Sequence, residues 1–104
     1  MNKIKIYCIF NKINFKKYVG QTISSLKKRF GEHLQDANKQ LKGDIDKYGR
    51  FSFQIYLLEE VKLEEADLYE QAYMDAFNSV EDGYNYRNVI KGQANNARKT
   101  KGCL

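Results

Sequence analysis

Residues 3–10, KIKIYCIF, alternate between two sets of side chains. Ile4, Ile6, Cys8 and Phe10 fall on one face; Lys5, Tyr7 and Ile9 fall on the other. A period of two marks extended backbone, so this is a strand with one face on the core. Asn11-Lys12-Ile13-Asn14 reads as a turn, since asparagine tolerates unusual backbone angles. Residues 15–22, FKKYVGQT, then predict the return strand of a hairpin. Tyr7 and Tyr18 lie on neighbouring strands in that arrangement, with their register left open.

The pattern then lengthens. Leu26, Phe30, Leu34, Ala37 and Leu41 recur at helical spacing, with Thr22, Ser24 or Ser25 available as the cap. Gly43 predicts a break, followed by a short turn over residues 44–48 that ends at Gly49. Residues 51–58, FSFQIYLL, alternate again, with Phe51, Phe53, Ile55 and Leu57 on one face of a third strand. Residues 63–77 predict a second helix with Ala66, Tyr69, Tyr73, Ala76 and Phe77 as its apolar stripe. Gly83-Tyr84-Asn85 is a turn or a short extended segment. Strand, strand, helix, strand, helix makes a small sheet with helices packed on it, an α+β or mixed α/β domain.

A chain of 104 residues suits one domain, and 42% hydrophobic content suffices to fold most of it. No apolar stretch is long enough to span a membrane, and the start has no signal-peptide core, which predicts an intracellular protein. With two cysteines, Cys8 and Cys103, one histidine and no C-x-x-C, the chain has no zinc cage. Two reduced thiols are a simpler expectation than a disulfide.

Charge changes the picture more. The net charge of +5 is spread unevenly. Residues 1–42 hold ten Lys or Arg against two acids; residues 43–90 hold four against eleven. Residues 91–104 hold four bases and no acid. A basic first part and a basic tail suggest a polyanionic partner, with a lysine-rich solvated surface as the plain alternative. Six of the acids, Glu59, Glu60, Glu64, Glu65, Asp67 and Glu70, fall in or just before the second helix, and of these Glu70 points along the apolar stripe.

Four features carry candidate chemistry. A buried carboxylate such as Glu70 is costly unless paired with Lys or Arg or bound to a metal. Arg29 has a planar fork that matches phosphate oxygens, or is an ordinary surface arginine. His33, four residues on and on the same helix side, titrates near neutrality, or is satisfied by a backbone carbonyl. Tyr7 and Tyr18 supply phenolic oxygens, or simply pack their strands. Together the set matches what phosphodiester hydrolysis requires. One carboxylate can hold a hydrated Mg²⁺. Cation and arginine stabilise developing charge, and a tyrosine or histidine takes a proton from water. A free tyrosine has a pKa of about 10 and needs a nearby cation for this; Lys5, on the same strand face as Tyr7, is one candidate.

These residues resemble the GIY-YIG nuclease domain over roughly residues 3–90. Lys5-Ile6-Tyr7 and Tyr18-Val19-Gly20 are similar to its paired strand motifs. Arg29-x-x-x-His33, Glu70 and Gly83-Tyr84-Asn85 follow in the same order. Lys5 stands where the family has its first glycine, and Val19 where it has isoleucine. The resemblance implies a three-stranded antiparallel sheet flanked by helices and metal-dependent hydrolysis of DNA. It implies that Glu70 binds the divalent metal, Mg²⁺ or Mn²⁺, and that Arg29 holds the scissile phosphate. Tyr7 would be the base or water-positioning group, with Tyr18 and His33 supporting proton movement and geometry. Asn85 would support the site or touch the backbone.

This reading divides the chain into a nuclease domain over 1–90 and a flexible basic tail over 91–104. In the tail, Lys91, Arg98, Lys99 and Lys101 would contact DNA. The expected protein is a free-standing phage or mobile-element endonuclease. A single site cuts one strand, so double-strand cleavage needs a homodimer on the substrate or two encounters. The alternative is a non-catalytic nucleic-acid-binding module whose aromatics stack on bases, and after it a small interaction domain. Metal dependence separates them.

Overall fold

The computed structural model describes residues 3–86. Strand β1 (Lys3–Asn11) lies at the centre of an antiparallel sheet of order β2-β1-β3. Strand β2 (Lys17–Thr22) forms one edge and β3 (Phe53–Lys62) the other. Between them run α1 (Leu26–Asp36) and α2 (Lys39–Tyr48), and α3 (Ala66–Phe77) follows β3. This is the expected α+β architecture of a three-stranded antiparallel sheet flanked by helices.

β1 has two buried faces rather than one. Ile4 and Ile6 pack with Val19, Val61, Ala66 and Met74 on the α3 side. Tyr7 and Ile9 pack with Leu41, Ile45, Phe53 and Tyr84 on the side of α1 and α2. A central strand is covered from both sides, so its alternation sorts residues between two cores rather than between core and water.

The boundaries of the other elements differ from expectation for identifiable reasons. The hairpin turn runs further, because Asn11 Oδ1 accepts from the Ile13 amide (2.9 Å) and Asn14 Oδ1 from the Lys16 amide (3.0 Å). Phe15 therefore lies in the turn, exposed and with φ of 67°, and the return strand begins at Lys17. The first helix breaks at Ala37, not Gly43. Ala37 is extended, and Asn38 caps a new helix by accepting from the Leu41 amide at 2.9 Å. Gly43 lies inside α2, which ends at Gly49 with φ of 88°.

The third strand starts at Phe53, leaving Phe51 in a 3₁₀ turn and 85% exposed. It continues to Lys62 through a bulge opposite Ile6 and Tyr7. The extra residue moves the odd-numbered positions from the face where Phe53 and Ile55 pack to the α3 face, where Val61 is buried. Leu57, the last odd position before the bulge, is exposed. On α3 the stripe is also rotated: Ala76 is exposed, and Glu70, Gln71 and Met74 are buried.

Beyond α3 the chain returns along the outer edge of β2. The Tyr84 amide donates to the Lys17 carbonyl at 2.9 Å. The Asn85 side chain accepts from the Val19 amide and donates to the Val19 carbonyl, both at 2.9 Å. One amide side chain thus does there what a further strand would do. Gly83 is required because a Cβ would overlap the Lys17 carbonyl and the backbone of Ser79. Cys8 is a free, buried thiol. The boundary at residue 90, the basic tail with Lys91, Arg98, Lys99 and Lys101, and Cys103 lie outside the described residues. Among those residues no helix is long and apolar enough to cross a membrane.

Candidate active site

Pairing of Tyr7 with Gly20 and of Ile9 with Tyr18 puts both tyrosines on one face of the sheet. Their ring centroids are 6.3 Å apart. Gly20 makes this possible. The phenol of Tyr7 lies across the place where a Cβ would project, with Tyr7 Cζ 2.6 Å from that position. Any larger residue would push Tyr7 aside.

Helix α1 supplies the next two groups. Ser25 caps it, accepting from the Lys28 amide at 3.1 Å, and so sets the phase of Arg29 and His33. Arg29 Nε donates to the Tyr7 hydroxyl at 3.0 Å. That hydroxyl stands 2.7 Å from His33 Nε2. Arg29 has no acceptor, so the phenol accepts from it. The Tyr7–His33 bond runs either way with the imidazole tautomer; with the ring proton on Nδ1, the phenol donates to Nε2. Burial, with Arg29 close by, lowers the imidazole from its usual 6.5 to about 4, so the ring is neutral at pH 7. His33 also meets the Tyr18 ring edge-on at 4.9 Å. Arg29, His33, Glu32, Gln35 and Asp36 line a cavity of about 310 Å³.

The Tyr7 phenol is held above its usual range, chiefly by burial and by Tyr18, while Arg29 opposes that rise. Arg29, and not Lys5, is the cation at Tyr7. The neighbours of Lys5 across the sheet are Thr22 and Glu60. Tyr18 is half-buried and raised by burial and then by the charge of Glu70. Its hydroxyl makes no hydrogen bond to a described residue.

Glu70 comes from α3, across edge strand β2, and only 6% of it is exposed. Its Oε1 accepts from Gln21 Nε2 at 2.6 Å. Among the described residues it forms no ion pair, and its Oε2 accepts no hydrogen bond. Burial raises its pKa; the Gln21 bond opposes the rise and Asp67 adds to it. The salt bridge open to it from sequence is therefore absent among these residues. The described residues gather no three His, Cys, Asp or Glu side chains around one point. A buried carboxylate without a cation suits an ion that keeps most of its waters, as Mg²⁺ does, rather than one caged by protein.

Five sequence candidates thus fall into two sets. Tyr7, Tyr18, Arg29 and His33 converge directly, and Glu70 reaches both tyrosines through its charge. The Asn85 amide is committed to the backbone of Val19, the residue next to Tyr18. Gln21 was not a sequence candidate. A half-exposed glutamine on an edge strand carries no signal until the fold brings α3 to it.

A family model described as the GIY-YIG catalytic domain matches residues 3–85. The chain belongs to this family of nuclease domains. Two solved structures share the fold. One is the catalytic domain of the intron endonuclease I-TevI in a mutant form, at 27% identity and TM-score 0.72, covering 86% of this chain and 98% of that one. The other is the catalytic domain of the homing endonuclease I-TevI, at 30% identity and TM-score 0.69, covering 80% and 97%. No curated protein matches the chain.

Proposed function

We propose that this protein is a divalent-metal-dependent endonuclease that hydrolyses DNA phosphodiester bonds, one strand per site. The observation that carries the proposal is the juxtaposition of a neutral-imidazole-bound phenol with a buried carboxylate that has no cation partner among the described residues. Its similarity to the catalytic domain of an intron and homing endonuclease supports DNA as the substrate.

Arg29 would hold the scissile phosphate. Its Nη1 is paired with Glu32 at 2.9 Å in an exposed contact that a phosphate can displace, while its Nε anchors it to Tyr7. Water attacks phosphorus as the bond from phosphorus to the leaving sugar oxygen breaks, and that oxygen takes a proton from solvent; the attacking water gives its own proton to the Tyr7 oxygen as the Tyr7 proton moves to Nε2 of a His33 protonated at Nδ1. The phenol stays neutral throughout, so its raised pKa is no obstacle. Tyr18 offers its unbonded hydroxyl to the attacking water or a phosphate oxygen. Glu70 would hold Mg²⁺ or Mn²⁺, which when bound offsets charge on the phosphate. The basic tail, with Lys91, Arg98, Lys99 and Lys101, would add non-specific backbone contacts. A free-standing phage or mobile-element enzyme is the biological setting we favour.

The test is nicking of supercoiled plasmid in Mg²⁺ and in EDTA, by wild type and Glu70→Gln. Metal-dependent nicking lost in the variant is the expected result. DNA binding without nicking would point instead to a non-catalytic binding module, a reading that leaves the unpaired Glu70 without a reason.

A further inference from the structure

Gln21 lies on β2 opposite Ile6, on the face that α3 covers. Its side-chain nitrogen has two hydrogens and two carboxylates to receive them. Nε2 is 2.6 Å from Glu70 Oε1 and 2.8 Å from Asp67 Oδ1. Asp67 and Glu70 are three residues apart, neighbours on one side of α3. The Gln21 amide thus bridges them from a separate element of the fold.

We propose that Gln21 is the positioning residue of the metal-binding carboxylate, with Asp67 as its anchor. The exposed Asp67 fixes the amide by taking one hydrogen. The other hydrogen holds Glu70 Oε1, which sets the rotation of the carboxylate and leaves Oε2 open. A carboxylate held this way loses less freedom when it takes up a cation. Partners of a ligating side chain, when removed, typically weaken metal affinity by about 10- to 100-fold. Among the described residues the Gln21 side chain bonds these two carboxylates and nothing else. The inference rests on Glu70 binding the metal.

The experiment titrates Mn²⁺ into the full chain and follows the electron-paramagnetic-resonance signal of free Mn²⁺. Wild type, Gln21→Met, Asp67→Asn and Glu70→Gln are compared, each with its melting temperature in EDTA. Gln21→Met keeps the length of the side chain at a half-exposed position and removes its donors. The expected result is site-specific binding by wild type, none by Glu70→Gln, and binding about 10-fold weaker in Gln21→Met with an unchanged melting temperature. Asp67→Asn should weaken binding less. Wild-type affinity in Gln21→Met, beside lost binding in Glu70→Gln, overturns the positioning role and leaves the metal reading standing. A loss in Asp67→Asn alone also overturns it, since Asp67 would then act without Gln21. Absent binding in wild type, or wild-type affinity in Glu70→Gln, overturns the metal reading and this inference with it.

Discussion

Two tyrosines are fully buried against the same face of the sheet, and their surroundings differ in kind. Tyr84 sits in a closed group. Its hydroxyl donates to Asp44 Oδ2 at 2.6 Å and accepts from Asn11 Nδ2 at 3.0 Å. Asn14 Nδ2 meets the same Asp44 oxygen at 3.1 Å. The remaining oxygens of Asn11 and Asn14 accept from backbone amides of the hairpin turn. The group ties the hairpin, α2 and the final segment together. Tyr7 sits in an open group. It has a cation on one side, a neutral imidazole on the other, and neighbours such as Tyr18 and Glu70 with polar atoms that no described residue bonds. Satisfied buried networks hold a fold in one arrangement. Buried polar groups left open need another explanation, and a ligand is one.

Removing each hydroxyl is the sharpest way to break this contrast. Tyr7→Phe should lower the nicking rate per folded molecule by at least about 100-fold, because it removes the proton path to His33. Tyr84→Phe should act on stability instead. It strands Asp44 and Asn11, at a cost of about 1–3 kcal/mol in urea unfolding, and leaves the rate per folded molecule nearly intact. Equal losses of rate in both variants would erase the distinction.

His33 gives a pH signature of the open group. Its folded pKa is about 4 against 6.5 when free, so the unfolded chain binds more protons between those values. Its contribution is complete above pH 6.5 and is lost as pH falls toward 4, by at most about 3 kcal/mol. Urea midpoints measured from pH 7 to pH 4 should therefore fall more steeply for wild type than for His33→Asn.

Glu70 should behave oppositely in the absence of metal. Its raised pKa means that folding disfavours the charged form, and stability is lost as pH rises from 4.5 through the folded value. Glu70→Gln should therefore melt a few degrees higher than wild type in EDTA at neutral pH. Added Mn²⁺ should narrow or close that gap. A lower melting temperature for the variant would mean that Glu70 is a stabilising residue.

The smallest effect is expected at Glu32, which faces Arg29 from the exposed side. Glu32→Gln removes a competitor for phosphate and should tighten DNA binding no more than a few-fold, by fluorescence anisotropy at low salt.

Periodicity is local, and what it determines is local. The strands, the helical stretches, the mismatch of Glu70 with its stripe and the four-residue step from Arg29 to His33 were all legible in the chain. So was the ordered set of motifs that identifies the family. Element boundaries were less so: side-chain caps at Asn38 and the asparagines of the hairpin turn competed with the hydrophobic pattern. Only the tertiary structure decided that β1 is covered on both faces and that a bulge reverses β3. It also replaced Lys5 with Arg29 as the cation at Tyr7, across 22 residues. The bond from Gln21 to Glu70 spans 49 residues, and that from Asn85 to Val19 spans 66. Such contacts depend on register and on how helices seat on the sheet, which no window along the chain contains.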